Sequence, residues 1–309
     1  MIFGSGKEMK PGFLKKPGFS LLSVAAAMGL LAALMPCCRF VKAADSTEKG
    51  TTMKRIVSTR VPKNSLAIFW LGQGGFAFKT SSATIVMVDP YLTHSCKATH
   101  LHPPAIAPQE ATADYVFCTH DHRDHLDPDT VVPLAKSDPS VEFVTTPEGA
   151  AHLIQLGVEK GRVQAMQIGE TKKLPTFTVK SIYAECTSSG FTTHMGLVFD
   201  FKPITLYITG DTKVGLDGYL DKMKDVVGLR PDVMLAAINR GYSNPGPEDA
   251  ARLTKLVNPR VVIPMHFDCF AENTIDPQEF LRLLGDTPAI KPVVMKFNES
   301  YLYTRPAEP

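Results

Sequence analysis

The chain has little excess charge of either sign, and no segment of it repeats. Its 309 residues include 33 basic and 31 acidic side chains, so the formal net charge is only +2. No basic run is interleaved with aromatic residues, which excludes the charge pattern of a nucleic-acid-binding protein. With 44% hydrophobic and 21% charged residues, the composition is that of a globular protein.

Cysteine is also scarce for a chain of this length. Cys37 and Cys38 lie in an N-terminal segment, and no C-x-x-C pair is present. The other four cysteines are widely scattered: Cys96, Cys118, Cys186 and Cys269. Because a chain this long can bury a sizeable core without covalent staples, we expect no disulfide framework. A single incidental disulfide among them is the alternative.

The long apolar run near the N-terminus extends from Phe19 to Met35 and follows Lys15 and Lys16. Val41-Lys42-Ala43 then places small residues at the −3 and −1 positions of a cleavage site. We predict a signal peptide over residues 1–43 and export to the periplasm or the medium. An uncleaved N-terminal membrane anchor is the alternative, and a lipid anchor on Cys37 or Cys38 fits poorly after Pro36.

The remainder of the chain predicts a polar lead over residues 44–62 and one domain over residues 63–309. Without residues 1–43 it has 27 basic and 30 acidic side chains, a net charge of −3. Short β-rich runs alternate with helical segments, a pattern that builds stacked sheets with helices outside. The predicted strands are Leu66–Leu71, Phe76–Lys79, Thr84–Val88, Tyr115–Cys118, Glu142–Thr145, Phe177–Ala184, Gly196–Phe201, Leu206–Thr209, Val233–Ala236, Val261–Pro264 and Val293–Phe297. The predicted helices are Asp129–Lys136, Glu148–Leu156, Tyr219–Val227, Pro247–Val257 and Pro277–Leu284.

A histidine-rich segment between a predicted strand and a predicted helix points to metal chemistry. Three imidazoles and three carboxylates fall within the eight residues 120–127. His120 and His122 can face one point because alternate side chains share a face, and Asp124 and His125 can face a second point nearby. Imidazole nitrogen and carboxylate oxygen suit Zn²⁺, Mn²⁺ or Fe²⁺. Two such ions can share one hydroxide.

Three further polar residues follow predicted strands. Asp211 comes after the apolar run Leu206–Thr209, where a carboxylate can bridge two cations, and His266 comes after Val261–Pro264. Asp89 ends another strand, and we expect it to bond the histidine-rich loop rather than a metal ion.

The H-x-H-x-D-H motif resembles the signature of the metallo-β-lactamase fold superfamily, and Asp89, Asp211 and His266 follow in that superfamily's order. Several stretches resemble its L-ascorbate-6-phosphate lactonase branch: Phe69–Gly72, Thr119–Asp127, Tyr207–Thr212, Val261–His266 with Asp268, and Asp276–Glu279. The resemblance implies an α/β fold, a four-layer αββα sandwich with the metal ions at one edge of the sheets. It implies six metal-binding residues: His120, His122, Asp124, His125, Asp211 and His266.

The sequence departs from the superfamily at one metal position. A histidine is usual on the loop before the Gly-Asp strand, and that loop here reads Glu185 to His194. Glu185, Cys186 and His194 are the three candidates for this position, and the sequence does not choose among them.

These expectations together describe an exported metal-dependent hydrolase in which a hydroxide held by two divalent ions attacks a small lactone or related acyl substrate. Asp124 is expected to bind metal, orient the nucleophile and carry the proton. The alternatives are a phosphodiesterase on the same dinuclear site and a non-catalytic metal-binding or sensing module. We expect no nucleic-acid partner and no stable membrane insertion after cleavage. The substrate-binding residues stay open, with Arg123 and Arg240 as candidates for gripping an anion.

Overall fold

The computed structural model describes residues 51–184, 192–212 and 222–307. The predicted signal segment lies outside these ranges, as do Glu185 and Cys186. Among the described residues, no helix combines the length and the apolar composition needed to cross a bilayer.

Two seven-stranded sheets form the centre of the fold. The first contains β1 (Ser65–Gly72), β2 (Gly75–Thr80), β3 (Ile85–Val88), β4 (Tyr115–Cys118), β5 (Glu142–Thr145), β6 (Val163–Ala165) and β14 (Ser300–Thr304). The second contains β7 (Thr171–Lys173), β8 (Thr178–Ala184), β9 (His194–Asp200), β10 (Thr205–Ile208), β11 (Val233–Ala237), β12 (Val261–Met265) and β13 (Lys291–Pro292). The strand orders are β14-β1-β2-β3-β4-β5-β6 and β13-β12-β11-β10-β9-β8-β7. Both sheets are mixed, since β3 to β6 and β10 to β13 pair in parallel.

In the described residues, four α-helices follow strands of the parallel sets, as crossover connections require, and one precedes the first strand. They are α1 (Thr52–Ser58), α2 (Pro128–Ser137), α3 (Pro147–Gln155), α4 (Pro247–Val257) and α5 (Pro277–Leu284). The last four begin with proline, whose missing N–H group is not needed in a first turn. Side chains of Asp127, Thr146 and Asp276 accept hydrogen bonds from the first turns of α2, α3 and α5.

The side chains of β1 point alternately to the two faces of the first sheet and show how the layers form. Ile68 and Trp70 lie in the apolar cluster that contains residues of both sheets and of α4 and α5. Phe69 and Leu71 lie in a second cluster with residues of α1, α2 and α3. Successive side chains of a strand face opposite sides of its sheet, so helices cover the outer face of each sheet. The predicted four-layer αββα sandwich is confirmed.

Two predicted elements are wrong in the described residues. Val293–Phe297 is not a strand: the pairing of β13 with β12 ends after the hydrogen bond from Val293 N to Val262 O, and Met295 is buried in the core instead. The described part of the predicted helix Tyr219–Val227 consists of turns. Its hydrogen bonds span three residues, as from Val226 N to Met223 O.

The polar lead contains an element that composition did not predict. Helix α1 is only seven residues long, but Met53 and Ile56 are buried in the apolar cluster under the first sheet. Lys79 of β2 donates a hydrogen bond to the carbonyl oxygen of Val57 and so ties the helix end to the sheet.

Candidate metal centre

Strand order brings the predicted site residues to one edge of the sandwich. In the first sheet, β3 and β4 are parallel neighbours, so Asp89 and the histidine-rich loop follow strand ends on the same side. In the second sheet, β10, β11 and β12 are parallel, and Asp211 and His266 follow β10 and β12. His194 begins β9, which runs antiparallel to β10 and therefore starts at the same edge. The hydrogen bond from Met195 N to Thr119 O, 3.1 Å long, joins the two edges.

The histidine-rich loop is a compact turn that its own backbone stabilises. The N–H groups of His125 and Leu126 both donate to the carbonyl oxygen of His122, at 3.0 and 2.8 Å. Asp127 then caps α2 and also accepts hydrogen bonds from Thr93 and Thr130. The direction of the loop is therefore fixed at both ends.

Seven side chains converge in three overlapping groups whose donor atoms lie within 4.8 Å of one another. The groups are His120, His122 and His194; His120, His125 and Asp211; and Asp124, His125 and His266. Every residue predicted to bind metal is in at least one group. His194, one of the three candidates for the remaining position, is in the first group, and its ring stacks on His120 at a centroid distance of 3.7 Å.

Two short contacts join nitrogen atoms of different histidines. His120 Nε2 lies 2.9 Å from His122 Nδ1, and His125 Nε2 lies 3.1 Å from His266 Nε2. Asp211 reaches the second pair, with Oδ2 at 3.3 Å from His125 Nε2 and Oδ1 at 3.0 Å from His266 Nε2. Neighbouring lone pairs that face one another suit a shared cation.

Buried polar atoms without hydrogen-bond partners also indicate that these side chains suit a metal ion. Among the described residues, neither ring nitrogen of His194 has a hydrogen-bond partner, although the side chain is buried. A polar atom buried without a partner is unfavourable by about 1–3 kcal/mol. A divalent ion held by imidazole and carboxylate groups would satisfy these atoms, and the donor set matches what zinc, manganese and iron prefer.

Burial keeps three of the imidazoles neutral. It lowers the pKa of His120 well below the usual value, helped by the neighbouring His125 and His194 rings. Burial also lowers the pKa of His122, and that of His194 to about 4. These rings are therefore uncharged at neutral pH, the state that metal binding requires.

The other side of the centre combines opposite charges. Burial disfavours the charged form of His125, but the carboxylates of Asp211, Asp124 and Asp89 outweigh it and raise the pKa of His125 well above normal. Burial opposes ionisation of Asp211 as well, yet the facing His266 and His125 hold its pKa well below the usual range. A cation that binds here has to displace the proton of His125.

Asp89 belongs to none of the three groups but contacts one of their members. Its Oδ2 lies 2.8 Å from His125 Nδ1, and the carboxylate accepts two hydrogen bonds of 2.7 Å from Thr119 N and Oγ1. The contact holds the Nδ1 hydrogen of His125 and leaves Nε2 facing the centre.

A cavity of about 380 Å³ is lined by five of the seven donor side chains: His122, Asp124, His194, Asp211 and His266. Sequence reasoning missed two residues of its wall. Gln73, in the glycine-rich turn after β1, donates from Nε2 to Asp124 Oδ2 at 2.9 Å, and Asn244 donates to Asp211 Oδ2 at 2.9 Å. No motif marks either residue, since the Gly-Gln-Gly-Gly segment indicates only a hairpin turn.

The two arginine candidates differ in their placement. Arg123 lines the cavity, and its guanidinium is paired with Asp129 at 2.7 Å. Arg240 does not line it, because its guanidinium is held between Glu248 and Glu279, each at 2.7 Å. Arg240 therefore forms structural ion pairs and is not placed to bind an anion in the cavity.

Residues 67–266 match the model of the beta-lactamase superfamily domain. A UPF0173 metal-dependent hydrolase of Archaeoglobus fulgidus is 30% identical over 253 residues, which cover 78% of this chain and 100% of that protein. The chain belongs to the beta-lactamase superfamily. Together with the site, these relatives make it a metal-dependent hydrolase of the metallo-β-lactamase fold.

Solved structures share the fold at lower identity. Igni18, a metallo hydrolase from Ignicoccus hospitalis, has a TM-score of 0.62 at 24% identity and covers 78% of this chain and 100% of its own. An isothiocyanate hydrolase from Delia radicum gut bacteria has a TM-score of 0.58 at 17% identity, covering 77% and 99%. Since the curated relative above is named only as a metal-dependent hydrolase, the finer assignment to the lactonase branch stays a prediction.

We expect the protein without residues 1–43 to carry about one to two equivalents of zinc, manganese or iron per chain. The reason is the convergence of seven donor side chains on one edge of this superfamily fold. Elemental analysis of the purified protein measures the content, and chelator-treated protein is the control. Absence of any transition metal, even after reconstitution, would contradict a metal centre in this fold.

Proposed function

We propose that the protein is an exported hydrolase with two divalent metal ions that opens a small lactone or a related acyl compound. His120, His122 and His194 would hold one ion; Asp124, His125 and His266 would hold the other; and Asp211 would face both. This division follows the three donor groups.

The exposure of Asp124 is the observation that carries this proposal. Its side chain is 21% exposed, whereas those of Asp89 and Asp211 are 1% and 5% exposed. Of the three carboxylates, Asp124 is the most open to a water or substrate in the cavity. Its Oδ2 is occupied by Gln73, which leaves Oδ1 to take a proton from the attacking water.

Bound cations would lower the pKa of a water molecule toward neutrality and stabilise negative charge on a carbonyl oxygen. The chain's own residues supply orientation. Asn244 holds Asp211, Asp89 holds His125, and Gln73 holds Asp124, so three of the donor side chains are fixed before a substrate enters.

The rest of the cavity wall favours a small substrate with a polar end. Tyr242 and Phe270 line it with apolar surface, while Lys97, exposed, and Asn273 add polar groups. A volume of about 380 Å³ fits a small molecule rather than a polymer. Export argues for a substrate other than a cytosolic sugar phosphate.

A metal-replete assay tests the reaction class. We expect turnover of one or more lactones in a panel that also contains simple esters and phosphodiesters, with EDTA-treated protein as the control. Turnover of phosphodiesters alone would contradict the proposed acyl substrate and indicate a phosphodiesterase. Full metal occupancy without turnover of any member would favour a binding or sensing module.

Export rests on the N-terminal segment alone, and we expect the mature protein to begin at Ala44. Lys15 and Lys16, the apolar run Phe19–Met35 and the small residues before Ala44 support this. Mass spectrometry of the periplasmic or secreted fraction measures the mature N-terminus. Finding only full-length chain in the cytosol would reject export, and full-length chain in the membrane would favour the anchor.

A further inference from the structure

Gln73 has an unfavourable backbone conformation in a turn where glycine would fit. It follows Gly72 and precedes Gly74 between β1 and β2, with φ at +52°. This left-handed region strains residues with a Cβ atom but not glycine. The turn itself therefore gives no reason for a glutamine.

The side chain of Gln73 contacts both ends of one donor group. Its Nε2 lies 2.9 Å from Asp124 Oδ2 and 3.2 Å from His266 Nε2. Because a carboxylate oxygen only accepts hydrogen bonds, the contact with Asp124 fixes which end of the amide is nitrogen. The main chain is fixed too, since Gln73 O accepts from Trp70 Nε1 and His266 N, both at 3.1 Å.

The amide has a second unfavourable feature. Gln73 is 1% exposed, and among the described residues its Oε1 has no hydrogen-bond partner. Backbone strain and an unpaired buried acceptor thus meet on one residue at the wall of the cavity. Unfavourable local features of this kind are expected at residues that contribute to a functional site rather than to the stability of the fold.

We propose that Gln73 is a positioning residue of the metal centre. Its amide sets the rotation of the Asp124 carboxylate, so that Oδ2 stays beside His125 and His266 while Oδ1 remains free. The strained turn is what brings the amide within reach of Asp124 and His266 together. This inference rests on the proposed function, because it takes Asp124 and His266 as metal-binding residues.

The main test is Gln73→Gly, with Zn²⁺ as the probe. Glycine removes the amide together with the strain and the unpaired acceptor. We expect Zn²⁺ affinity, measured by calorimetry on chelator-stripped protein, to fall roughly 10–100-fold. We expect the melting temperature of the same metal-free protein to rise or to stay within about 3 °C. A residue that served only the fold would give the opposite pattern.

A second variant and two controls separate the amide from volume and strain. Gln73→Met keeps the side-chain length and the strained φ but cannot donate, and its Zn²⁺ affinity should fall as far as that of Gln73→Gly. Ala83→Gly relieves a positive φ of +66° in an exposed turn. Gln164→Ala removes a hydrogen bond of 2.8 Å that the side-chain amide donates to the carboxylate of Glu142. Both controls should bind Zn²⁺ as the wild type does.

Three results would overturn the inference. Wild-type Zn²⁺ affinity in Gln73→Gly or in Gln73→Met would show that the amide does not position Asp124. A melting temperature of metal-free Gln73→Gly more than about 5 °C below wild type would show a structural role. A wild-type protein that binds no Zn²⁺ would overturn the proposed function together with the inference, whereas the first two results leave the metal centre in place.

Discussion

Replacing Asp124 by alanine is expected to lower kcat/KM by at least ~10²-fold. The substitution removes a candidate metal contact, since Asp124 Oδ2 lies 3.6 Å from His125 Nε2 and 3.7 Å from His266 Nε2. It also removes the carboxylate that is open to the cavity. Kinetics with the best substrate of the panel and the Zn²⁺ content of the same preparation measure both losses.

The fold should survive this substitution because Asp124 lies on the loop after β4 and not in either apolar cluster. Asp121→Ala is the matched control, since Asp121 belongs to the same loop but its Oδ1 contacts His152, 2.6 Å away and outside the three donor groups. We expect near wild-type activity for Asp121→Ala. Full activity in Asp124→Ala, with normal circular dichroism, would show that the catalytic centre lies elsewhere.

The convergence of the site could be predicted because its residues follow strand ends. Apolar runs such as Tyr115–Cys118 and Val261–Pro264 mark buried parallel strands, and the polar residues after them meet at one sheet edge. The bounds of β4, β5, α4 and α5 agree with the predicted ranges. In each helix, a proline at the first position and acidic residues in the first turn gave a local signal that tertiary packing did not override.

What could not be predicted depends on contacts across the fold. His194 reaches His120 and His122 because β9 begins beside the end of β10, a pairing that no local pattern encodes. Gln73 lies in a segment whose composition indicates only a turn, and its contact with Asp124 joins residues 51 positions apart. Helix α1 is too short to show a periodic pattern, and its stability comes from burying Met53 and Ile56.

Substitutions of Asp89, which contacts His125, can distinguish a residue that binds a metal ion from a residue that orients a metal-binding side chain. Asp89 is fully buried, and its Oδ2 is shared by His125 Nδ1 and Thr119 Oγ1 while Oδ1 accepts from Thr119 N. In Asp89→Ala all three donors lose their partner. We expect the free energy of unfolding to fall by about 1–3 kcal/mol, since buried donors are left without their acceptor.

Asp89→Asn should separate the ligand effect from this loss of stability. The asparagine oxygen can still accept from Thr119 N, but its NH₂ group then faces His125 Nδ1. The imidazole must accept there, which moves its hydrogen to Nε2, the atom that faces Asp211 and His266. A metal ion would have to displace that hydrogen, so we expect Zn²⁺ affinity to fall roughly 10–100-fold with a smaller loss of stability than in Asp89→Ala.

Asp127→Ala is the matched control for both variants. Asp127 is equally buried and accepts from Thr93, Ser95 and Thr130, but it contacts no member of the three donor groups directly. Urea unfolding and Zn²⁺ calorimetry should therefore give Asp127→Ala a clear loss of stability with little loss of affinity. Excess Zn²⁺ should restore activity to Asp89→Asn far more than to Asp124→Ala, because Asp89→Asn keeps every donor side chain. Equal restoration in the two would remove the distinction between the residue that binds the ion and the residue that orients its ligand.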